Sequence, residues 1–219
     1  MSTSWPWILP LASRCQTAPP RLHGSRTGAG APVLYCHGTP ASKHNWYLNH
    51  DPALLAALGL RVYALDRPGL GGSDFQANRT LADWVADVEN FADSLGLERF
   101  ALLGYSCGSP YALACALHLE ERVTGTTLVS GMVDYTWPEL ASYLLPQSFE
   151  VLKLATANPR ASRLIYRLMR LSARYAPAMM IRQAHATMPV ADREVLPEPA
   201  VRGAFVAMLN ETVAQGPTP

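Results

Sequence analysis

The pentapeptide Gly104-Tyr105-Ser106-Cys107-Gly108 has the residue types and spacing best suited to covalent chemistry in this chain. A serine with glycine two residues away on each side can stand at the apex of a tight turn, where its hydroxyl is placed to attack a carbonyl carbon. The glycines matter because neighbouring chain approaches such a turn so closely that side chains would clash there. The apolar run Phe100-Ala101-Leu102-Leu103 leads into the pentapeptide, and an alanine-rich helical run to about Glu120 leads out of it. Strand, sharp turn and helix together make a nucleophile elbow; the pentapeptide without them is a weak signal.

Two upstream stretches belong to the same picture. His37-Gly38-Thr39-Pro40 ends a compact β-type run, Val33-Leu34-Tyr35-Cys36. The glycine-rich stretch from Asp66-Arg67-Pro68-Gly69 to Ser73-Asp74 ends a second buried run, Arg61 to Leu65. Between them the spacing predicts a polar loop and a helix from Pro52 to Leu58, stopped by Gly59. Thr80 and Asp83 have the spacing of a helix cap, and Leu81, Trp84, Val85, Val88, Phe91, Ala92 and Leu95 then follow at helical intervals up to Gly96. A fourth apolar strand is predicted over Gly125 to Gly131. Nearly continuous apolar strands alternating with helices imply an α/β fold, with a mainly parallel sheet covered by helices on both faces.

The flanking regions read differently. Pro10, Pro19, Pro20, Gly24, Gly28 and Gly30 break any periodicity in residues 1–31, which predicts irregular or disordered chain with one short edge strand at most. Residues 32–133 form the α/β core on this reading, and 134–219 a helical region. Its segments fall near 147–156, 159–174, 177–186 and 198–214, with a break over Pro189 to Pro199. In the second segment Leu164, Ile165, Leu168, Met169 and Leu171 recur at helical spacing, with Arg163, Arg167, Arg170 and Arg174 opposite them or snorkelling. The expectation is a helical hairpin that buries one stripe rather than a basic membrane-binding helix.

The totals exclude several classes. The chain has 219 residues, 49% apolar and 16% charged, which suits a folded single domain. A net charge of +1 gives no electrostatic case for a nucleic-acid partner. Cys15, Cys36, Cys107 and Cys115 lack metal-type spacing and read as reduced residues, which suits a cytoplasmic protein with no metal or organic cofactor. No apolar run approaches the ~20 residues of a membrane span, so no membrane partner is expected.

With these motifs in this order, the chain resembles the α/β-hydrolase family over roughly residues 32–215. His37-Gly38-Thr39-Pro40 resembles the family's oxyanion loop, Asp66-Arg67-Pro68-Gly69-x-Gly71-x-Ser73 its second-strand loop and Gly104-x-Ser106-x-Gly108 its elbow. The helices after Asp134 resemble its cap. The resemblance implies a serine hydrolase acting on a small-molecule acyl substrate, with Ser106 as nucleophile and the backbone N–H groups of Thr39 and Cys107 as the oxyanion hole. Donors of that kind are worth about 3–4 kcal/mol each in the transition state. His37, Gly38, Gly104 and Gly108 would support them, His37 bracing the oxyanion loop rather than serving as base. A serine at the elbow, where dehalogenases and epoxide hydrolases of the family carry aspartate, leaves esterase-, lactonase-, peptidase- and carbon–carbon-hydrolase-like members. Trp137, Tyr143, Tyr166, Met179 and Met180 would suit an apolar acyl pocket and, equally, ordinary cap packing.

The family's acid and histidine stand on strands that follow the cap, and this chain has neither. Only His118 and His185 follow Ser106. His118 is twelve residues on, about 18 Å along a helix, and His185 falls in the cap. Asp134 stands where some family members place the acid, although the reading preferred for it is a helix or loop cap. A truncated or frame-altered product of a longer gene is therefore expected, with the fourth strand an open edge available for self-association. Two readings stand: a serine hydrolase, or a catalytically incomplete homologue that binds or is inactive.

Overall fold

The computed structural model describes residues 22–132, 157–188, 190–195 and 199–215, together with the single positions 139, 142 and 154. A five-stranded sheet is its centre, built from β1 (Gly24–Gly28), β2 (Ala31–Cys36), β3 (Leu60–Leu65), β4 (Phe100–Tyr105) and β5 (Val123–Val129), in the order β1-β3-β2-β4-β5. β1 runs antiparallel to β3; the other pairs are parallel, with Val33 opposite both Val62 and Ala101. β1 falls inside the 1–31 segment whose composition predicts irregular chain with one edge strand at most.

Alternation along the strands divides the core. Leu34, Cys36, Tyr63, Leu65 and Leu102 face α3 (Leu81–Ser94) and α4 (Ser109–His118), meeting Trp84, Val88, Ala112 and Cys115. Tyr35, Val62 and Ala64 face the other way, onto Trp46 of α1 (Asn45–Asn49) and Leu55 of α2 (Pro52–Ala57). Helices thus cover both sheet faces. The Thr80 cap is a full capping box, in which Asp83 N–H donates to Thr80 Oγ1 at 3.4 Å and Thr80 N–H to Asp83 Oδ2 at 2.6 Å.

Beyond the core lie α5 (Pro159–Tyr175), α6 (Pro177–Thr187), α7 (Val190–Val195) and α8 (Pro199–Thr212). Asn158 starts α5 by accepting from Arg160 and Ala161 N–H, at 3.0 and 3.1 Å. Three expectations change. The polar loop after Pro40 contains α1, and the stretch between Pro189 and Pro199 contains α7. Leu164, Leu168 and Leu171, expected in a buried stripe, are 56%, 54% and 54% exposed; the buried side of α5 carries Ala173, with Tyr166 and Met169 half-buried beside it. Of the helix expected near 147–156 only Leu154 is among the described residues, and it is helical.

α8 and the residues just after it are tied to the core. Lys43 Nζ donates to Glu211 Oε1 and, at 2.8 Å, to Asp66 Oδ2, and Gln215 Nε2 donates to the carbonyls of Gly71 and Ser73. At the opposite sheet edge β5 is exposed from its second residue onward, with Leu128 and Val129 open to solvent beside Leu113 and Leu117 of α4.

Candidate active site

Three loops leave the carboxyl ends of three adjacent parallel strands, β3, β2 and β4, so they gather at one rim of the sheet. Ser106 follows β4 directly. It takes φ +50°, a left-handed conformation that costs a non-glycine residue about 1–3 kcal/mol. Its side chain is half-buried and opens a short 3₁₀ turn, Ser106–Gly108, that runs into α4.

The glycines show why this turn tolerates no larger residue. A Cβ on Gly108 would fall 1.9 Å from the Cys36 carbonyl oxygen, and one on Gly104 would sit 2.9 Å from both Ala112 Cβ and Ser109 Cα. A Cβ on Gly38 would meet Ser106 Cβ at 3.1 Å. The backbone of the His37–Pro40 loop is therefore packed directly against the serine.

That loop is braced from beneath. His37 is fully buried; its Nδ1–H donates to the Gly38 carbonyl at 2.8 Å, and its Nε2 accepts the Arg67 backbone N–H at 3.3 Å. Accepting at Nε2 fixes the proton on Nδ1. Burial, and then the Arg67 charge, push the imidazole well below its usual pKa. With both nitrogens engaged, the ring is a neutral brace and has no free position to serve Ser106. The Arg67 guanidinium donates to the Gly38 carbonyl at 2.8 Å and to Thr39 Oγ1 at 2.6 Å, and lies over the Tyr111 ring. One cation thus ties the His37–Pro40 loop to both the β3 loop and α4. A cleft of about 280 Å³ opens beside it, lined by Arg67, Gln76, Arg79, Trp84 and Tyr111 among others.

Asp66 is fully buried and accepts from Lys43 N–H at 2.6 Å, Lys43 Nζ at 2.8 Å and Gly72 N–H at 3.0 Å. Burial works against the Lys43 charge, yet its hydrogen bonds to Asp66 and Glu211 outweigh that and hold its pKa above the usual value. Burial pushes the Cys36 thiol up to about 12, so it stays a thiol at the floor of the site. Tyr166 of α5 reaches the same rim, where its hydroxyl senses Arg67, Cys107 and Tyr111; burial raises its pKa.

The sequence-predicted residues therefore fall in two groups. Ser106, Cys107, Gly104, Gly108, His37, Gly38 and Thr39 come together at one rim. Asp134, Trp137 and Tyr143 lie outside the described residues. No histidine is hydrogen-bonded to Ser106: His44 pairs with Glu211 at 2.5 Å, His50 stacks on Trp46, His23 lies against Gly72, His118 ends α4 and His185 is exposed on α6. Sequence reading missed Arg67 and Lys43 as organisers of the rim. The one local signal was a cation directly after Asp66. Among the described residues no cluster of three His, Cys, Asp or Glu is arranged to hold a metal ion.

A family model described as the alpha/beta hydrolase fold matches residues 31–184. The chain belongs to that family. Haloalkane dehalogenase 2 of Mycobacterium tuberculosis is 26% identical over 216 residues, covering 97% of this chain and 71% of the relative. A 2-hydroxy-6-oxononadienedioate/2-hydroxy-6-oxononatrienedioate hydrolase of Paraburkholderia phymatum is 38% identical over 117 residues, which is 51% of this chain and 40% of that protein. Of other curated relatives the chain spans from 29% to 51% of their length. Among solved structures, a thermophilic esterase from Thermogutta terrifontis superposes with a TM-score of 0.56 at 22% identity, over 89% of this chain and 65% of that one. That likeness concerns the fold.

Proposed function

We propose that this chain carries the nucleophilic half of a serine hydrolase for ester-like, small-molecule acyl substrates. One observation carries the reading: Ser106 is held at positive φ at the strand-to-helix turn, with the Gly38 backbone packed against its Cβ. Ser106 Oγ attacks the substrate carbonyl carbon, the carbonyl electrons move to oxygen, and the oxyanion is held by the backbone N–H groups of Cys107 and Thr39. Collapse breaks the bond to the leaving oxygen, which takes up, by way of solvent water, the proton that Ser106 Oγ gave up. The alcohol departs and an acyl-enzyme remains; water then cleaves the acyl-enzyme to the acid and restores the Ser106 hydroxyl. His37 and Arg67 keep the loop carrying Thr39 in place, and Tyr166 closes the rim from the cap. Asp134 is the candidate acid.

A second reading is favoured by a separate observation. All six histidines are engaged elsewhere, exposed on the cap or at the far end of α4, so none activates Ser106. On that reading the chain is a catalytically incomplete homologue that binds but does not turn over. Under either reading the open β5 edge is proposed to pair with a second copy of the chain.

Purified residues 1–219 assayed with p-nitrophenyl esters and a fluorophosphonate probe separate the readings. The first expects turnover and labelling that both disappear in Ser106→Ala. A folded, soluble chain that neither turns over nor labels refutes it and leaves the second.

A further inference from the structure

The α5–α6 hairpin carries two apolar faces, and only one is used. Ala173 of α5, 2% exposed, packs with Met208 and Leu209 of α8, and Tyr166, Met169 and Met180 pack against that cluster. A second stripe on α5 comprises Leu164, Leu168, Leu171 and Tyr175, which are 56%, 54%, 54% and 72% exposed. Their offsets of four, seven and eleven residues place all four on one side of the helix. Met179 of α6, equally open, extends the stripe past the turn.

This stripe does not line the candidate active site. Tyr166, the α5 residue packed against the cluster of Ala41, Ala173, Met208 and Leu209, is two positions from both Leu164 and Leu168. At 3.6 residues per turn that is about 200° around the helix, so the leucines point away from that cluster.

Charge is segregated onto the same hairpin. Between Pro159 and Thr187 stand Arg160, Arg163, Arg167, Arg170, Arg174 and Arg182 with no acidic residue, whereas the rest of the chain holds 12 basic against 17 acidic residues. Among the described residues none of the six arginines makes an ion pair; Arg174 lies over the Tyr175 ring. Arg160, Arg163, Arg167 and Arg174 are exposed, and on the helical wheel they flank the leucine stripe along one side.

We propose that the α5–α6 hairpin is an interfacial docking face for an anionic phospholipid surface. The leucines and Tyr175 enter the boundary between headgroups and acyl chains, and the arginines pair with lipid phosphates. A basic helix with an exposed apolar stripe and an aromatic residue has the composition that lies in a bilayer interface. Charge complementarity decides the occupant. A second copy docking hairpin to hairpin would bring the same six cations face to face. No helix among the described residues is long and apolar enough to cross a membrane, so contact is peripheral. The sequence-based expectation of no membrane partner rests on the lack of a spanning apolar run and on burial of one helical stripe; the structure leaves the leucines of that stripe open.

Co-sedimentation of the full chain with vesicles tests this without reference to catalysis. Vesicles of phosphatidylcholine with about a third phosphatidylserine are expected to bind at least about ten-fold more tightly than pure phosphatidylcholine, with loss of binding in high salt. Leu168→Ser with Leu171→Ser, and separately Arg163→Gln with Arg167→Gln, are each expected to weaken binding about ten-fold while leaving circular dichroism unchanged. The arginine pair keeps the test decisive if the leucine variant fails to fold. No binding to either vesicle, or equal binding to both, overturns the proposal. So does a dimer in sedimentation that the leucine variant converts to monomer while vesicle binding is absent, because the occupant would then be a second copy.

Discussion

The two sides of Ser106 are built to different degrees. Toward β1 the sheet is closed: Trp46 Nε1 donates to Thr27 Oγ1 at 2.8 Å, Leu55 is buried against the sheet, and His37, Arg67 and Asp66 lock the loops. Toward β5 the sheet is open, with Leu113, Leu117, Leu128 and Val129 between 41% and 52% exposed. The closed side supplies the groups that would hold an oxyanion. The groups that would activate a serine have no counterpart on the open side among the described residues. On the proposed reading, holding charge and moving protons are separate tasks, and the described residues carry candidates only for the first.

The same substitution on each side should give opposite results. Gly108→Ala puts a Cβ 1.9 Å from the Cys36 carbonyl oxygen and 2.8 Å from that of His37. Both are backbone atoms that cannot give way as a flexible side chain would, so a loss of about 3 kcal/mol or more is expected in urea unfolding. Gly125→Ala in β5 meets nothing within 4 Å and should change stability by less than about 0.5 kcal/mol. Equal losses for the two would show that the β5 side is as tightly constrained as the elbow.

What could be read from sequence follows the range of the interactions. The elbow and the Thr80–Asp83 capping box are local, so glycine spacing and cap spacing carry them. α1 was not legible because its residues gain helical structure from distant partners: Trp46 packs on Tyr35 with ring centroids 5.2 Å apart, and the Tyr35 hydroxyl donates to Asn45. The Lys43–Glu211 bridge joins residues 168 positions apart and leaves no local pattern. Periodicity showed that α5 is amphipathic. It could not choose between two apolar stripes, since which one is covered depends on where α8 packs.

The closed side should also reveal itself through pH. His37 is held neutral in the folded chain, its pKa lowered by burial and by Arg67, whereas in the unfolded chain it titrates near its ordinary value. Below about pH 6.5 the unfolded chain therefore takes up a proton that the folded chain refuses. Stability is full above that pH and falls as pH drops, by up to about 1.4 kcal/mol per unit. Urea midpoints for the wild type and His37→Gln at pH 7 and pH 5 isolate this group. The wild type should lose about 2 kcal/mol more than the variant over that interval. A constant difference between the two chains would mean that His37 is reached by solvent, and the brace under Gly38 would lose its basis.

The smallest effect is expected on the open side, and it separates folding from association. Leu117 and Leu119 are neighbours at the end of α4, 52% and 8% exposed respectively. Leu119 belongs to the core cluster under α3, so Leu119→Ala should cost about 2–4 kcal/mol. Leu117→Ser should cost less than about 0.5 kcal/mol, since little surface leaves contact. If a second copy pairs along β5, Leu117→Ser should still weaken concentration-dependent association in sedimentation, because Leu117 extends the apolar surface beside that edge. A Leu117→Ser chain as unstable as Leu119→Ala would place Leu117 under cover within a single copy, and the contrast between the two sides of Ser106 would not hold.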